Sequence, residues 1–161
     1  MRKRPLIRAF LGLLILGAGH LPIFAGDSVY GTVVGVKRAD LVRFNYGPGE
    51  YDVHIAGIFV PQAQEDEAKK FVINLVRGKN VRVRLVRRAG YEMVAQLLTD
   101  DPVAGIQDVA IVLLDRSLAK TLLGSDSRFR YKYGELKAAE AKAKTAQPPR
   151  GVWARDQVPT R

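Results

Sequence analysis

Apolar residues recur at two different spacings along this chain, and the changes from one spacing to the other mark out its elements. The run Val29-Tyr30-Gly31-Thr32-Val33-Val34-Gly35-Val36 is rich in β-branched residues and bounded by glycine, which predicts a strand. Leu41-Val42-Arg43-Phe44 predicts a second strand, closed by the turn Gly47-Pro48-Gly49. A third runs from Asp52 toward Gln62, with Val53, Ile55 and Ile58 at near-alternate positions. Pro61, which cannot donate to a ladder, stops it before a helix. Three strands with short links predict an antiparallel meander.

The period then lengthens. Gln64-Glu65-Asp66-Glu67 leads into Ala68, Phe71, Val72, Leu75 and Val76, one apolar face of a helix with acids in its first turn, Arg77 in its last and Gly78 at the C-cap. From Asn80 to Arg87 the alternation returns, with Val81, Val83 and Leu85 inward and Arg82, Arg84 and Arg87 outward. A fifth strand follows the Ala89-Gly90 turn and runs from Met93 to Thr99. A second helix is expected over 109–123, with Ala110 to Leu114 apolar on almost every side and therefore buried. Residues 134–146 have strong helix propensity but a thin apolar stripe, which predicts a third helix lying exposed on the surface. Pro148-Pro149 stops it, and Val152-Trp153 supplies an apolar plug. The expected fold is α+β and mainly β: a five-stranded, OB-fold-like antiparallel barrel with three helices.

The first 25 residues stand apart. Arg2-Lys3-Arg4 precedes an uncharged run from Ala9 to Ala25 that contains Phe10-Leu11-Gly12-Leu13-Leu14-Ile15-Leu16. This hydrophobic leader reads as a secretory signal cleaved after Ile23-Phe24-Ala25, or as an uncleaved single-pass anchor helix. Gly17, Gly19, His20 and Pro22 weaken a continuous helix and favour the signal. Positive charge holds the N-terminus in the cytoplasm in both cases. The domain, residues 26–154, is then periplasmic or extracellular, or held at the non-cytoplasmic face of the membrane, with 155–161 as a polar tail.

Charge sharpens the picture less than its total suggests. The net charge of +10 includes Arg2, Lys3, Arg4 and Arg8; without those four, the 26 Lys and Arg fall to 22 against 16 acids. Such a balance suits an anionic polymer, an anionic membrane or an acidic partner, and it also simply keeps a small protein soluble. With no cysteine, neither a disulfide framework nor a thiolate metal site is available.

Several local matches, in order, resemble the thermonuclease (staphylococcal-nuclease-like) family. They are the opening strand pair with Asp40, the Gly57-Ile58-x-x-Pro61 turn and the Ala68-Lys69-x-Phe71 helix. Further on come Arg77-Gly78-Lys79-x-Val81, Leu118-Ala119-Lys120 on the second helix, and Glu140-Ala141-x-Ala143-Lys144 followed by Gly151-Val152-Trp153. The resemblance implies an OB-fold and, in active members, a calcium ion held by two aspartates and a threonine carbonyl. A glutamate base and two phosphate-gripping arginines complete that machinery. Carried over residue by residue, the metal positions fall on Asp40, Phe59 and Val60, and the catalytic ones on His54, Gln62 and Glu92. Asp40 is the only one of the six whose side chain matches.

Calcium takes about six to eight oxygen ligands and a phenylalanine side chain offers none. A glutamine amide cannot accept the proton a general base must take. Glu92 would set a negative charge against a transition state that is itself accumulating negative charge. A migrated metal site on Asp40, Asp52 and Glu65 is weighed against solvated or dipole-stabilising carboxylates. The expected function is therefore a non-catalytic module without a cofactor that binds or supports another molecule. Arg82, Arg84, Arg87, Arg88 and Tyr91 are candidates for an anionic polymer, nucleic acid included. Phe129, Tyr131 and Tyr133 are candidates for contact with a membrane protein complex. The alternative is a calcium-dependent nuclease with a rearranged site.

Overall fold

The computed structural model describes residues 28–89, 91–103, 105–122, 132–146 and 150–153. The leader, the polar tail, Phe129 and Tyr131 lie outside them, as does the side chain of Tyr133. The chain order is β1 (Ser28–Arg38), β2 (Leu41–Tyr46), β3 (Gly49–Ile55), β4 (Ile58–Phe59), α1 (Glu65–Val76), β5 (Asn80–Ala89) and β6 (Glu92–Asp101). Then follow β7 (Gly105–Asp108), α2 (Val109–Asp115), β8 (Lys120–Thr121) and α3 (Tyr133–Thr145). No described helix is long and apolar enough to cross a membrane.

Strands β3-β2-β1-β5-β6 lie side by side, and β3 also pairs with β6, so that five strands close on themselves with β7 as an added edge. The result is a mainly β, OB-like barrel with three helices. The expectation of an antiparallel barrel needs one correction: β3 and β6 run parallel, Val53 opposite Met93 and Ile55 opposite Ala95. An odd ring of strands cannot alternate direction all the way round, so one pair must run parallel. Register shifts in β1, between Val33 and Gly35 and between Val36 and Arg38, and in β5 between Leu85 and Arg87, supply the local twist that closure requires.

Inward side chains fill the barrel as the alternation predicts. Val33, Val42, Phe44, Val53, Val81, Val83, Met93 and Leu97 are all fully buried, and α1 adds Ala68, Val72 and Val76 to the same core. Gly31 marks a close approach of β1 to β2, since a Cβ there would lie 2.2 Å from the Asn45 carbonyl oxygen and 2.6 Å from the Phe44 ring. No residue but glycine fits.

Two helical expectations are corrected. The helix expected over 109–123 ends at Asp115, because Ser117 takes a left-handed conformation (φ 59°) while its N–H bonds to Leu114 O at 2.9 Å and that of Leu118 to Leu113 O at 2.9 Å. That pair of bonds is a Schellman stop. Leu118-Ala119-Lys120 consequently sits in the turn and the start of β8, which pairs with β4. The last helix, expected to lie exposed, instead packs on α2 and β8 and buries Leu136, Ala139 and Glu140, with Ala143 in a small cluster with Val152 and Trp153. Leu136 reaches Gly57, where φ is +80° and a Cβ would lie 2.4 Å from Leu136 Cδ1. The plug Val152-Trp153 is buried as expected, with Lys120 and Lys144 Nζ at 4.7 and 4.3 Å from the indole ring centre.

Candidate functional site

The tight link between β1 and β2, Ala39-Asp40, is fastened from three sides. Asp40 O accepts the Ile55 N–H at 2.9 Å, which sets the turn over the end of β3. The Ala39 N–H donates to Glu65 Oε1 at 2.8 Å, tying the turn to the first turn of α1. The Arg38 guanidinium grips the Asp40 carboxylate through Nε to Oδ1 and Nη2 to Oδ2, both at 2.9 Å. Fork-to-fork pairing of this kind is the strongest geometry open to an Arg–carboxylate pair.

Two clefts meet at Asp40. One of about 400 Å³ is lined by Arg38, Asp40, Phe59, Val60, Gln62 and Glu65. The other, of about 330 Å³, is lined by Asp40, His54, Ile55, Ile58, Glu92, Val94 and Leu122. Every position that the thermonuclease resemblance singled out for metal or catalysis therefore falls on one cleft or the other. His54 and Glu92 come together because the parallel pairing sets His54 opposite Val94 and Asp52 opposite Glu92.

The side chains present do not fit a calcium ion. Phe59, 49% exposed on the first cleft, carries no side-chain oxygen, and Val60 can offer only its main-chain carbonyl. The two carboxylates there, Asp40 and Glu65, are engaged by Arg38 and by the Ala39 N–H. A cation entering the cleft would also meet the Arg38 charge. Among the described residues no group of three His, Asp or Glu side chains stands close enough to hold a metal.

Asp52, the third carboxylate of the conceivable migrated site, is not among the residues that line either cleft. It pairs with Lys37 and lies 3.7 Å from Arg43 Nε. The Lys37 hydrogen bond, aided by the Lys37 and Arg43 charges, holds its carboxyl below the usual range despite some desolvation. Asp40, Asp52 and Glu65 thus have three separate sets of partners rather than one shared ion.

The arginines of β5 divide into two groups. Arg82 and Arg84 stand opposite Leu98 and Gln96, and Arg87 opposite Val94, all on the outward face. The register shift after Leu85 brings Arg88 opposite Met93, an inward residue. Arg88 accordingly lies over the buried Tyr51 ring, 5.4 Å from its centre, and Tyr91 packs near Tyr51 with ring centres 6.3 Å apart. Arg88 and Tyr91 belong to one end of the barrel, Arg82, Arg84 and Arg87 to its wall.

Sequence reasoning passed over two residues. Arg38 carries no sequence signal of its own, since its grip on Asp40 depends on the turn geometry. Tyr30, 57% exposed on β1, stands directly opposite Arg82. Its alternation with the inward Val29 and the glycine at 31 signals an outward position. No protein-family model matches the chain, and no curated protein matches it.

Proposed function

We propose that this chain is a non-catalytic, thermonuclease-like OB-fold module, exported across a membrane or tethered to it by its leader, that serves as a binding or accessory protein for a polyanion. The observation that carries the reading is the Arg38–Asp40 fork in a cleft whose other lining residues are Phe59, Val60, Gln62 and Glu65, the last engaged by the Ala39 N–H. The only carboxylate retained at the family's metal positions is neutralised by a neighbour. The residue at the base position is an amide, unable to take a proton from water. An arginine position of the family carries Glu92, whose charge repels phosphate.

The barrel wall supplies the other half. Neither β1 nor β5 contains an acidic residue, and Arg82, Arg84 and Arg87 project outward from β5. An anionic polymer lying along this wall would displace counterions from its own charges, so its affinity would fall steeply as salt rises. Filter binding of inorganic polyphosphate over a salt series tests the reading. The expected result is binding with a steep salt dependence that the triple variant Arg82→Gln, Arg84→Gln, Arg87→Gln flattens. Weak, salt-independent retention in both proteins would remove polyanion binding from the reading.

A further inference from the structure

Tyr30 and Arg82 are directly paired across β1 and β5, and Ser28 is paired with Arg84. Directly paired residues in an antiparallel ladder point to the same face with Cβ atoms about 4.5–5.5 Å apart, and diagonal neighbours lie about 7–8 Å apart. Tyr30 is thus beside one arginine and diagonal to a second. It sits on a central strand, between β2 and β5, and yet it is 57% exposed. A large ring in that position adds little to the core. Its outward companions on β1 are Ser28, Thr32 and Val34, and across the next ladder Thr32 faces Asn45, so these neighbours of the ring bring no carboxylate to the wall.

We infer that Tyr30, Arg82 and Arg84 form a platform for single-stranded nucleic acid, with a base stacked on the Tyr30 ring and the adjoining phosphates on the two guanidinium groups. The inference rests on the polyanion reading and narrows it. A polymer of phosphates alone engages the arginines and leaves the ring idle. A duplex keeps its bases stacked on one another and offers no free face. A single strand presents both flat faces and regularly spaced negative charges, which is the pairing this wall displays. Base stacking on an aromatic is sequence-tolerant, so no base preference is expected.

Fluorescence anisotropy with a labelled oligothymidylate, with polyphosphate and a duplex of equal length as competitors, separates the two claims. Tyr30→Ala should weaken oligothymidylate binding about 5- to 150-fold, leave polyphosphate binding unchanged, and be rescued by Tyr30→Phe. Arg82→Gln and Arg84→Gln should each reduce the salt slope by about 0.7. Polyphosphate binding with unaltered oligonucleotide affinity in Tyr30→Ala would overturn the platform and leave the polyanion reading standing. Binding of neither polymer would overturn both. Photocrosslinking of a halogenated oligonucleotide to the unmodified protein tests the platform independently of any substitution: a crosslink at Tyr30 is expected, and crosslinks confined to other residues contradict the inference.

Discussion

Asp40 receives both donors of the Arg38 fork, Nε on Oδ1 and Nη2 on Oδ2, at 2.9 Å each. The pair joins two residues across a tight turn at the meeting point of two clefts. Its consequence is chemical: a cation approaching a carboxylate held this way finds one lone pair on each oxygen already taken and meets the guanidinium charge beside it.

Restoring oxygen donors without removing Arg38 should therefore fail. In Phe59→Asp, calcium binding by isothermal titration is expected to stay undetectable. In Phe59→Asp combined with Arg38→Gly, weak binding should appear, in the range of about 10⁻⁴–10⁻³ M typical of weak calcium sites. Equal affinity in the two variants would show that the fork does not control access to Asp40.

Glu140 is buried on α3 and accepts from Lys137 Nζ at 2.8 Å and from the Thr121 N–H at 3.2 Å, with Lys144 Nζ at 3.9 Å. Burial alone would raise its pKa; the hydrogen bonds and the two lysine charges outweigh it and hold the carboxyl below its usual value. A folded pKa below the unfolded one stabilises the protein above the unfolded value, and that contribution is lost as pH falls through the folded one. Glu140→Gln should cost about 1.5–3 kcal/mol near neutral pH by urea unfolding, with the gap to the parent closing in acid. A gap that is constant with pH would refute the linkage.

Asp108 shows the opposite sign. Its Oδ1 caps α2 by accepting the Ala110 N–H at 3.0 Å and its Oδ2 accepts from Gln96 Nε2 at 2.7 Å, but burial outweighs these bonds and pushes the carboxyl pKa up. Stability from this group is present below the unfolded pKa and lost as pH rises through the folded one. Asp108→Asn keeps the cap without the buried charge. It should match or exceed the parent in stability at neutral pH and lose that advantage in acid, whereas Asp108→Ala should cost about 1 kcal/mol. An asparagine variant clearly less stable than the parent at neutral pH would contradict the sign.

Gly57→Ala tests the seating of α3. With φ at +80° and Leu136 Cδ1 where the new methyl would sit, the substitution should destabilise by about 1–3 kcal/mol, visible as a lower Tm. Shortening the obstructing chain in Gly57→Ala with Leu136→Val should recover only the steric part. Full recovery would mean that the backbone conformation carries no strain.

The barrel was legible in the sequence where alternation is strict. Val81, Val83 and Leu85 against Arg82 and Arg84 is a pattern that no helix produces. The end of α2 was not legible, because Ser117 takes the left-handed position where glycine usually marks the stop, and Leu118 and Leu122 prolong the apolar run. The buried face of α3 is built from one leucine, alanines and a neutralised glutamate, so hydrophobicity alone understates it. The parallel closure of β3 on β6 is a long-range pairing with no local signal. At the clefts, motif order located the wall positions, whereas the Arg38 grip and the Tyr30–Arg82 pairing emerged only with turn geometry and register.

The most direct measurement is calcium-dependent cleavage of single-stranded DNA by the purified protein, compared with Asp40→Ala. Calcium-supported hydrolysis of the thermonuclease kind needs a second carboxylate ligand and a base, which Phe59 and Gln62 do not supply. The expected result is no cleavage above that of Asp40→Ala at any calcium concentration. Calcium-dependent cleavage that Asp40→Ala abolishes would contradict a non-catalytic module and make the rearranged nuclease the correct reading.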